Sequence, residues 1–178
     1  MIAIDRNNVD EIQEESGAVS LCSLYAGSET FGIDTRKIRE VLGQREPQRV
    51  PMSPPFVAGV VPYRGEVLTA VNLRALLGME EHTGSGCVLV MEDEAAAERF
   101  GLVVDAVGGV VTVSESALEA NPCTLEARGR WLFDGAYKME SGLMVRLDPQ
   151  KLCPSRLSET GLFRKSTNGD ADASPDRR

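Results

Sequence analysis

The chain lacks the sequence motifs on which many enzyme active sites are built. It has one histidine, His82, among 178 residues, and a single imidazole in the polar segment EEHTGSG is typical of a solvated loop side chain. Its four cysteines do not form the closely spaced pairs of metal or redox motifs. No nucleophile elbow, phosphate-binding loop or dinucleotide-binding fingerprint is present. We therefore expect no enzyme activity, no metal and no cofactor.

The chain also lacks a long apolar segment and an excess of basic residues. No run approaches the roughly 20 residues that a membrane-spanning helix needs, and the amino terminus does not have the regions of a secretory signal. We therefore expect a cytoplasmic protein that does not insert directly into a membrane. Acidic residues outnumber basic ones by 27 to 19, and the net charge of −8 argues against a nucleic acid partner.

Short Val-rich segments separated by glycine and proline dominate what is present. About ten such segments, together with 17 Gly and nine Pro, predict an all-β fold, either small barrels or a sandwich. Hydrophobic residues make up 42% of the chain, which is enough for a substantial core. The segment KIREVLGQ at 37–44 fits both a helix and a strand.

Composition divides the chain into a leader, a folded part and a tail. Residues 1–16 are acidic and predict a flexible leader, with an acidic docking segment as the alternative. Residues 17–155 carry the strands, with a polar seam near 78–86 that would divide two β units of similar length. Residues 156–178 form a tail that we expect to be largely disordered after 166. Asp148-Pro149 predicts the start of a helix.

The segment SPPFVAGVVPYRGEVLTAVNLRALLG, residues 53–78, is the most informative part of the chain. Ser53-Pro54 predicts a short capped helix, which Gly59 would end in a left-handed conformation. A strand, an Arg64-Gly65 turn and a second strand that is buried on both sides would follow. Arg64 would then lie outside the core at the tip of a hairpin, which indicates a binding surface.

The order of these pieces resembles the CheW family of chemotaxis coupling proteins. The pieces are FGIDTRKIREVL, VPMSPPFVAGVVPYRGEVLTAVNLRALLG, CVLV, FGLVVDAVGGVVTV and LFDGAYKMESGLMVRLDPQKL, and the resemblance extends from about Val19 to Leu152. It implies two intertwined five-stranded SH3-like β-barrels with a few short helices. It also implies a non-catalytic protein that couples the cytoplasmic tips of chemoreceptors to the regulatory domain of the histidine kinase CheA, in a membrane-associated array.

The resemblance also implies a set of receptor-contacting residues. The family's Arg-Gly turn falls on Arg64 and Gly65, and its apolar and acidic groove positions fall on Ile38 and Glu40. Core packing is the alternative for Ile38, and turn geometry alone is the alternative for Gly65. Many family members have Asn-Leu before the turn where this chain has Pro62-Tyr63. The proline predicts an edge strand or a kink, and the tyrosine places a flat ring beside Arg64 for stacking on a receptor helix.

The binding mode that follows is a receptor helix lying in the groove between the two barrels, with Arg64 fixing its register at the rim. A separate apolar patch, expected on the second barrel, would engage the kinase. Two alternatives stay open at this point. One is an adaptor of a chemosensory pathway that controls pili, biofilm or gene expression. The other is a small β-barrel enzyme or ligand-binding domain, which a deep polar pocket with convergent carboxylates would indicate.

Overall fold

The computed structural model describes residues 17–80, 85–93, 97–120 and 130–160. These residues form ten strands, two short α-helices and four 3-10 turns, so the all-β prediction is confirmed. The predictions for the leader at 1–16, for His82, for the third of the four cysteines (Cys123) and for the tail beyond 160 lie outside the described residues.

The strands and helices are mostly short. The strands are β1 Ala18–Ala26, β2 Glu29–Asp34, β3 Ile38–Gln44, β4 Val57–Tyr63, β5 Glu66–Asn72, β6 Cys87–Asp93, β7 Glu98–Val104, β8 Ala106–Ser114, β9 Phe133–Met139 and β10 Gly142–Leu147. The helices are α1 Leu73–Leu77 and α2 Pro154–Glu159, and the 3-10 turns are Thr35–Lys37, Glu115–Ala117, Arg130–Leu132 and Pro149–Leu152.

The strands form two five-stranded sheets with the same connection pattern. Barrel A has the order β8-β1-β2-β10-β9, and barrel B has the order β3-β6-β7-β5-β4. In each sheet an edge strand pairs antiparallel with the first strand of a hairpin. The second strand of that hairpin runs parallel to the second strand of another hairpin, whose first strand forms the opposite edge. Each barrel takes strands from both sides of 78–86, so a division into two successive units at that seam does not hold.

Each sheet is closed into a barrel by one isolated β-bridge between its two edges. Gln48, which follows β3, bridges to Val60 in β4 at the opposite edge of barrel B. Glu119, which follows β8, bridges to Ala136 in β9 at the opposite edge of barrel A. Closure pairs backbone groups that an open sheet edge would leave unpaired.

A glycine directly precedes the bridge residue of β4 in barrel B and the bridge residue of β9 in barrel A. A Cβ at Gly59 would lie 2.2 Å from the carbonyl oxygen of Gln48, and a Cβ at Gly135 would lie 2.5 Å from that of Glu119. A side chain at either position would collide with the closing backbone. Gly59 therefore serves this close approach inside β4, with a φ of 146°, and does not end a helix in a left-handed conformation as the sequence had predicted.

The largest apolar cluster contains side chains from both barrels. Leu24 and Phe31 of barrel A belong to the same cluster as Leu89 and Phe100 of barrel B. Smaller clusters fill each barrel separately. Leu157 in α2 is 1% exposed and joins the shared cluster, so the folded part extends past the predicted boundary at 155.

An ion pair also joins the two barrels. Arg74 in α1 of barrel B contacts Asp105, with its Nη2 2.7 Å from Oδ2. The same Oδ2 accepts a hydrogen bond of 2.7 Å from the backbone N–H of Gly27, in the β1–β2 turn of barrel A. One carboxylate therefore fixes the two barrels to each other at this point.

Several local predictions from the sequence have clear outcomes. Residues 37–44 lie almost entirely in strand β3, which settles the open choice. Asp148 accepts a hydrogen bond from the N–H of Gln150 and caps a 3-10 turn, as predicted.

The segment around the predicted Arg64 hairpin differs in part from the prediction. Ser53-Pro54 begins a turn and not a helix, with a hydrogen bond of 2.9 Å from the N–H of Val57 to the carbonyl of Pro54. Pro62 lies in edge strand β4, as predicted. Val67 in β5 is exposed, so that strand is buried on both sides only in its second half.

We expect Gly135→Ala to lower the free energy of unfolding by about 1–3 kcal/mol, because the new methyl group collides with the carbonyl of Glu119. Gly109→Ala is the matched control, because Gly109 also lies in an edge strand and a Cβ there meets no atom within 4 Å. Urea denaturation of both variants measures the difference. Equal stability of the two variants would contradict the role of Gly135 in barrel closure.

Candidate functional site

Charged side chains occupy the last inward-facing positions at one end of barrel B. Side chains on a strand alternate between the two faces of the sheet. Val88 and Val90 of β6 belong to the interior cluster, so Glu92 faces the same way one step further along. Glu66 stands in the same relation to Leu68 in β5. We call this part of the molecule the barrel B mouth.

Glu40 joins the two edges of barrel B at this mouth. Its Oε2 accepts a hydrogen bond of 3.1 Å from the hydroxyl of Tyr63 and one of 2.8 Å from Nη2 of Arg64. The guanidinium carbon of Arg64 lies 5.3 Å from the centroid of the Tyr63 ring, within cation–π range. Burial and the hydrogen bond to Glu40 raise the pKa of Tyr63 above its ordinary value, so its hydroxyl stays a donor near neutral pH.

The turn that carries Arg64 has an uncommon backbone conformation. Both Arg64, at φ 47°, and Gly65, at φ 83°, are in the left-handed region, as a two-residue type I′ hairpin turn requires. Positive φ is uncommon for a residue with a side chain. The Arg64 side chain is nevertheless 73% exposed, so the hairpin presents it to solvent from a defined position.

A second set of ion pairs lies beside Glu40. Glu92 contacts both Arg39 and Arg99, and Arg99 also contacts Glu66, with Nη1 3.0 Å from Oε2. Burial acts to raise the pKa of Glu92, but the hydrogen bonds from Arg39 and Arg99 outweigh it and hold this pKa below its ordinary value of 4.5. Glu92 is therefore ionised at neutral pH and holds the two arginines side by side.

The barrel B mouth contains a depression of about 310 Å³ lined by Arg39, Tyr63, Arg64 and Arg99. These guanidinium groups and the Tyr63 phenol donate hydrogen bonds to a partner, and the raised pKa of Tyr63 keeps its hydroxyl protonated. Within the described ranges no three His, Cys, Asp or Glu side chains are arranged as metal ligands. The arrangement offers several hydrogen-bond donors to a partner that carries acceptors.

A larger cavity of about 550 Å³ lies on barrel A, and it bears on the enzyme alternative. Its carboxylates are paired with cations: Asp34 with Arg36 at 2.7 Å, and Glu115 with Arg146 at 2.7 Å. Asp134 lies 3.5 Å from Nε of Arg146. Asp148, which also lines the cavity, lies 3.1 Å from Nζ of Lys151. Carboxylates that are each paired with a cation are typical of structural ion pairs, so this cavity does not favour a carboxylate-based enzyme.

Of the predicted site residues, the structure brings Glu40, Tyr63 and Arg64 into direct contact. Gly65 completes their turn. A Cβ at this glycine would meet no atom within 4 Å, so the turn needs a glycine for its positive φ and not for a close approach of another atom. Ile38 is 1% exposed and lies in the shared core. Its side chain therefore does not line the surface, and the alternative of core packing describes its position.

The sequence analysis did not single out four charged residues that belong to the same mouth. They are Arg39, Glu66, Glu92 and Arg99, which are joined by ion pairs. The segment 92–99 reads as an acidic loop or a single helical turn, but β6 continues to Asp93 and β7 begins at Glu98. Little in the sequence signals this arrangement, because residues 87–91 are all apolar and do not show which face Glu92 would share. The structure shows it: Val88 and Val90 fill the barrel interior, and Glu92 is the next residue on their face of β6.

Comparison with known proteins agrees with this fold. Residues 21–156 match the model of the CheW-like domain. The chain belongs to the CheW-like domain family. Within the described residues, no helix has the length and apolar character needed to cross a membrane.

Relatives and a solved structure support this membership. The chain is 26% identical over 144 residues to the chemotaxis protein CheW of Rhizobium meliloti, covering 81% of this chain and 93% of that protein. It is 24% identical over 144 residues to the chemotaxis protein CheW of Treponema pallidum, covering 76% of this chain and 82% of that protein. The crystal structure of the scaffolding protein TtCheW from Thermoanaerobacter tengcongensis has the same fold, with a TM-score of 0.64 and 21% identity over 73% of this chain and 88% of that chain.

We expect the stabilisation that Glu92 provides to disappear in acid. A carboxyl group whose pKa is lowered by folding stabilises the protein above its unfolded pKa, and this contribution is lost as pH falls through the folded pKa. The difference in unfolding free energy between the wild type and Glu92→Gln should therefore shrink as pH falls below 4.5. Urea denaturation across this range measures it, with the exposed Glu46→Gln as control. A difference that stays constant down to about pH 3 would contradict the ion-paired state of Glu92.

Proposed function

We propose that this chain is a non-catalytic coupling protein that joins the cytoplasmic tips of methyl-accepting chemotaxis proteins to the histidine kinase CheA. Membership of the CheW-like family supports the proposal, as do the names of the relatives, which are chemotaxis proteins. The protein would be recruited from the cytoplasm to membrane-associated receptor arrays through its receptor contact.

The observation that carries the proposal is the way Arg64 is presented. A hairpin turn holds its backbone, Glu40 holds its guanidinium, and the ring of Tyr63 lies beside it. An arginine that is already ordered loses little side-chain entropy on binding. Arginine and tyrosine are also the residue types in which binding energy at interfaces is concentrated.

In this proposal the receptor contact is made by Arg64 and Tyr63, with Glu40 and Gly65 supporting them. A helix of the receptor tip would lie against the groove beside the hairpin, where Arg64 fixes its register through a polar contact. Ile38 would act indirectly, because it packs in the shared core beneath β3. The exposed side chains of Pro62 and Val67, which are cross-strand partners in β4 and β5, add apolar surface beside the turn.

The kinase contact falls on a different surface in this proposal. The regulatory domain of CheA would bind an apolar patch on barrel A, which holds the carboxyl-terminal strands. Val110 in β8 and Leu143 in β10 are exposed apolar side chains of that barrel. Separate surfaces would let one molecule hold the receptor and the kinase at the same time.

We expect Arg64→Glu to abolish co-sedimentation with a purified receptor tip while leaving the fold and the binding of CheA unchanged. The substitution places a second carboxylate beside Glu40 and reverses the charge that meets the receptor. Co-sedimentation measures receptor binding, circular dichroism reports the fold, and a separate pull-down measures CheA.

Lys138→Glu is the matched control for this experiment. Lys138 is 76% exposed and pairs with Glu119 at 2.8 Å, whereas Arg64 is 73% exposed and pairs with Glu40 at the same distance. The two variants therefore change charge equally, and each breaks an ion pair of the same length, on different barrels. Receptor binding that is unchanged in Arg64→Glu, or lost equally in both variants, would overturn the proposed contact.

A further inference from the structure

We propose that the barrel B mouth binds an acidic side chain of the receptor helix between Arg39, Arg64 and Arg99. This inference rests on the proposed function and adds to it the chemistry of the partner and two further contact residues, Arg39 and Arg99. Four observations support it: the convergence of the three arginines, their exposure, their unused donors and the charge of the rest of the chain.

The three arginines converge from separate parts of barrel B. Arg39 lies in β3, Arg99 lies in β7, and Arg64 lies in the turn between β4 and β5. The order of strands places β3 and β4 at opposite edges of the sheet, so only the closed barrel brings these side chains together. All three line the same depression of about 310 Å³.

Two of the three arginines face solvent more than the glutamates that hold them. The side chains of Arg39 and Arg64 are 43% and 73% exposed, whereas their partners Glu92 and Glu40 are 22% and 17% exposed. Glu66, which pairs with Arg99, is 58% exposed, against 41% for the arginine. Glu40 and Glu92 therefore lie behind the guanidinium groups, and a partner that approaches the mouth beside Arg39 and Arg64 meets positive charge first.

Each guanidinium has donors that its glutamate contacts do not use. Arg39 contacts Glu92 through Nε, and Arg64 contacts Glu40 through Nη2. A guanidinium carries five N–H donors in a planar fork, and a carboxylate accepts two parallel hydrogen bonds from such a fork. An incoming carboxylate can therefore be bound while the glutamates continue to hold the arginines in position.

Charge selects the class of partner. The chain carries a net charge of −8, so a cluster of three solvent-facing arginines is a local exception on an acidic protein. A cationic side chain would be repelled there, and an apolar one would cover the guanidinium groups without replacing their hydration. An Asp or Glu on the receptor helix supplies both the charge and the acceptors.

A double-mutant cycle tests this inference. The probes are a purified receptor-tip fragment and the same fragment with the acidic residues of its tip replaced by Gln and Asn. Titration calorimetry measures the binding of each fragment to the wild type, Arg39→Gln, Arg99→Gln and Arg64→Glu. Arg36→Gln is the matched control, because Arg36 is an exposed arginine paired with Asp34 on barrel A.

We expect Arg39→Gln and Arg99→Gln each to weaken binding of the acidic fragment by about three- to tenfold. Both variants should bind the neutral fragment as the wild type does, because the interaction they remove is already absent. Arg36→Gln should not distinguish the two fragments. Raising the salt concentration should weaken binding of the acidic fragment more than that of the neutral one.

The remaining outcomes separate this inference from the proposed function. If Arg64→Glu abolishes binding while Arg39→Gln and Arg99→Gln bind both fragments as the wild type does, the acidic contact at the mouth is overturned and the receptor role stands. If Arg39→Gln and Arg99→Gln weaken both fragments equally, the arginines support the fold of the mouth and do not bind a carboxylate. If Arg64→Glu binds the fragment normally, both proposals are overturned.

Discussion

The apolar layer between the two barrels is the constraint on which the rest of the structure depends. Each barrel has its own small interior cluster, but the largest set of buried side chains is shared, and it includes Ile38, Phe31 and Phe100. Because each barrel takes strands from both halves of the chain, this layer forms only when distant segments have paired. The ion pair of Arg74 with Asp105 then fixes the orientation of one barrel to the other.

Barrel closure connects this core to the candidate contact surface. The bridge between Gln48 and Val60 brings the edges of barrel B together, and Glu40 bonds to Tyr63 and Arg64 across the same closed edge. The candidate contact residues are therefore held by the barrel itself and do not depend on a mobile loop. Barrel A repeats the bridge and its glycine, but its turn between β9 and β10 carries Glu140 where the turn between β4 and β5 carries Arg64. The same architecture thus presents two chemically different surfaces.

Much of this arrangement could be predicted from local sequence, because hairpin turns and alternation depend on neighbouring residues. The Arg64-Gly65 turn, the edge position of Pro62 and the cap at Asp148 are of this kind. The missed features are long-range. The Ser53-Pro54 segment has good helix-capping chemistry, but the chain forms a single turn there, closed by the hydrogen bond from the N–H of Val57 to the carbonyl of Pro54, and then enters β4. Arg39 and Arg99 are far apart in sequence, and only the order of the strands places both beside Glu92.

The central claim is that a chemoreceptor binds at the barrel B mouth. Nuclear magnetic resonance of the arginine Nε–Hε groups tests it most directly, because each guanidinium gives its own signal. On addition of a receptor-tip fragment, the signals of Arg39, Arg64 and Arg99 should shift, whereas those of Arg36 and Arg146 on barrel A should stay unchanged. Shifts confined to barrel A, with the three mouth arginines unaffected, would contradict the account.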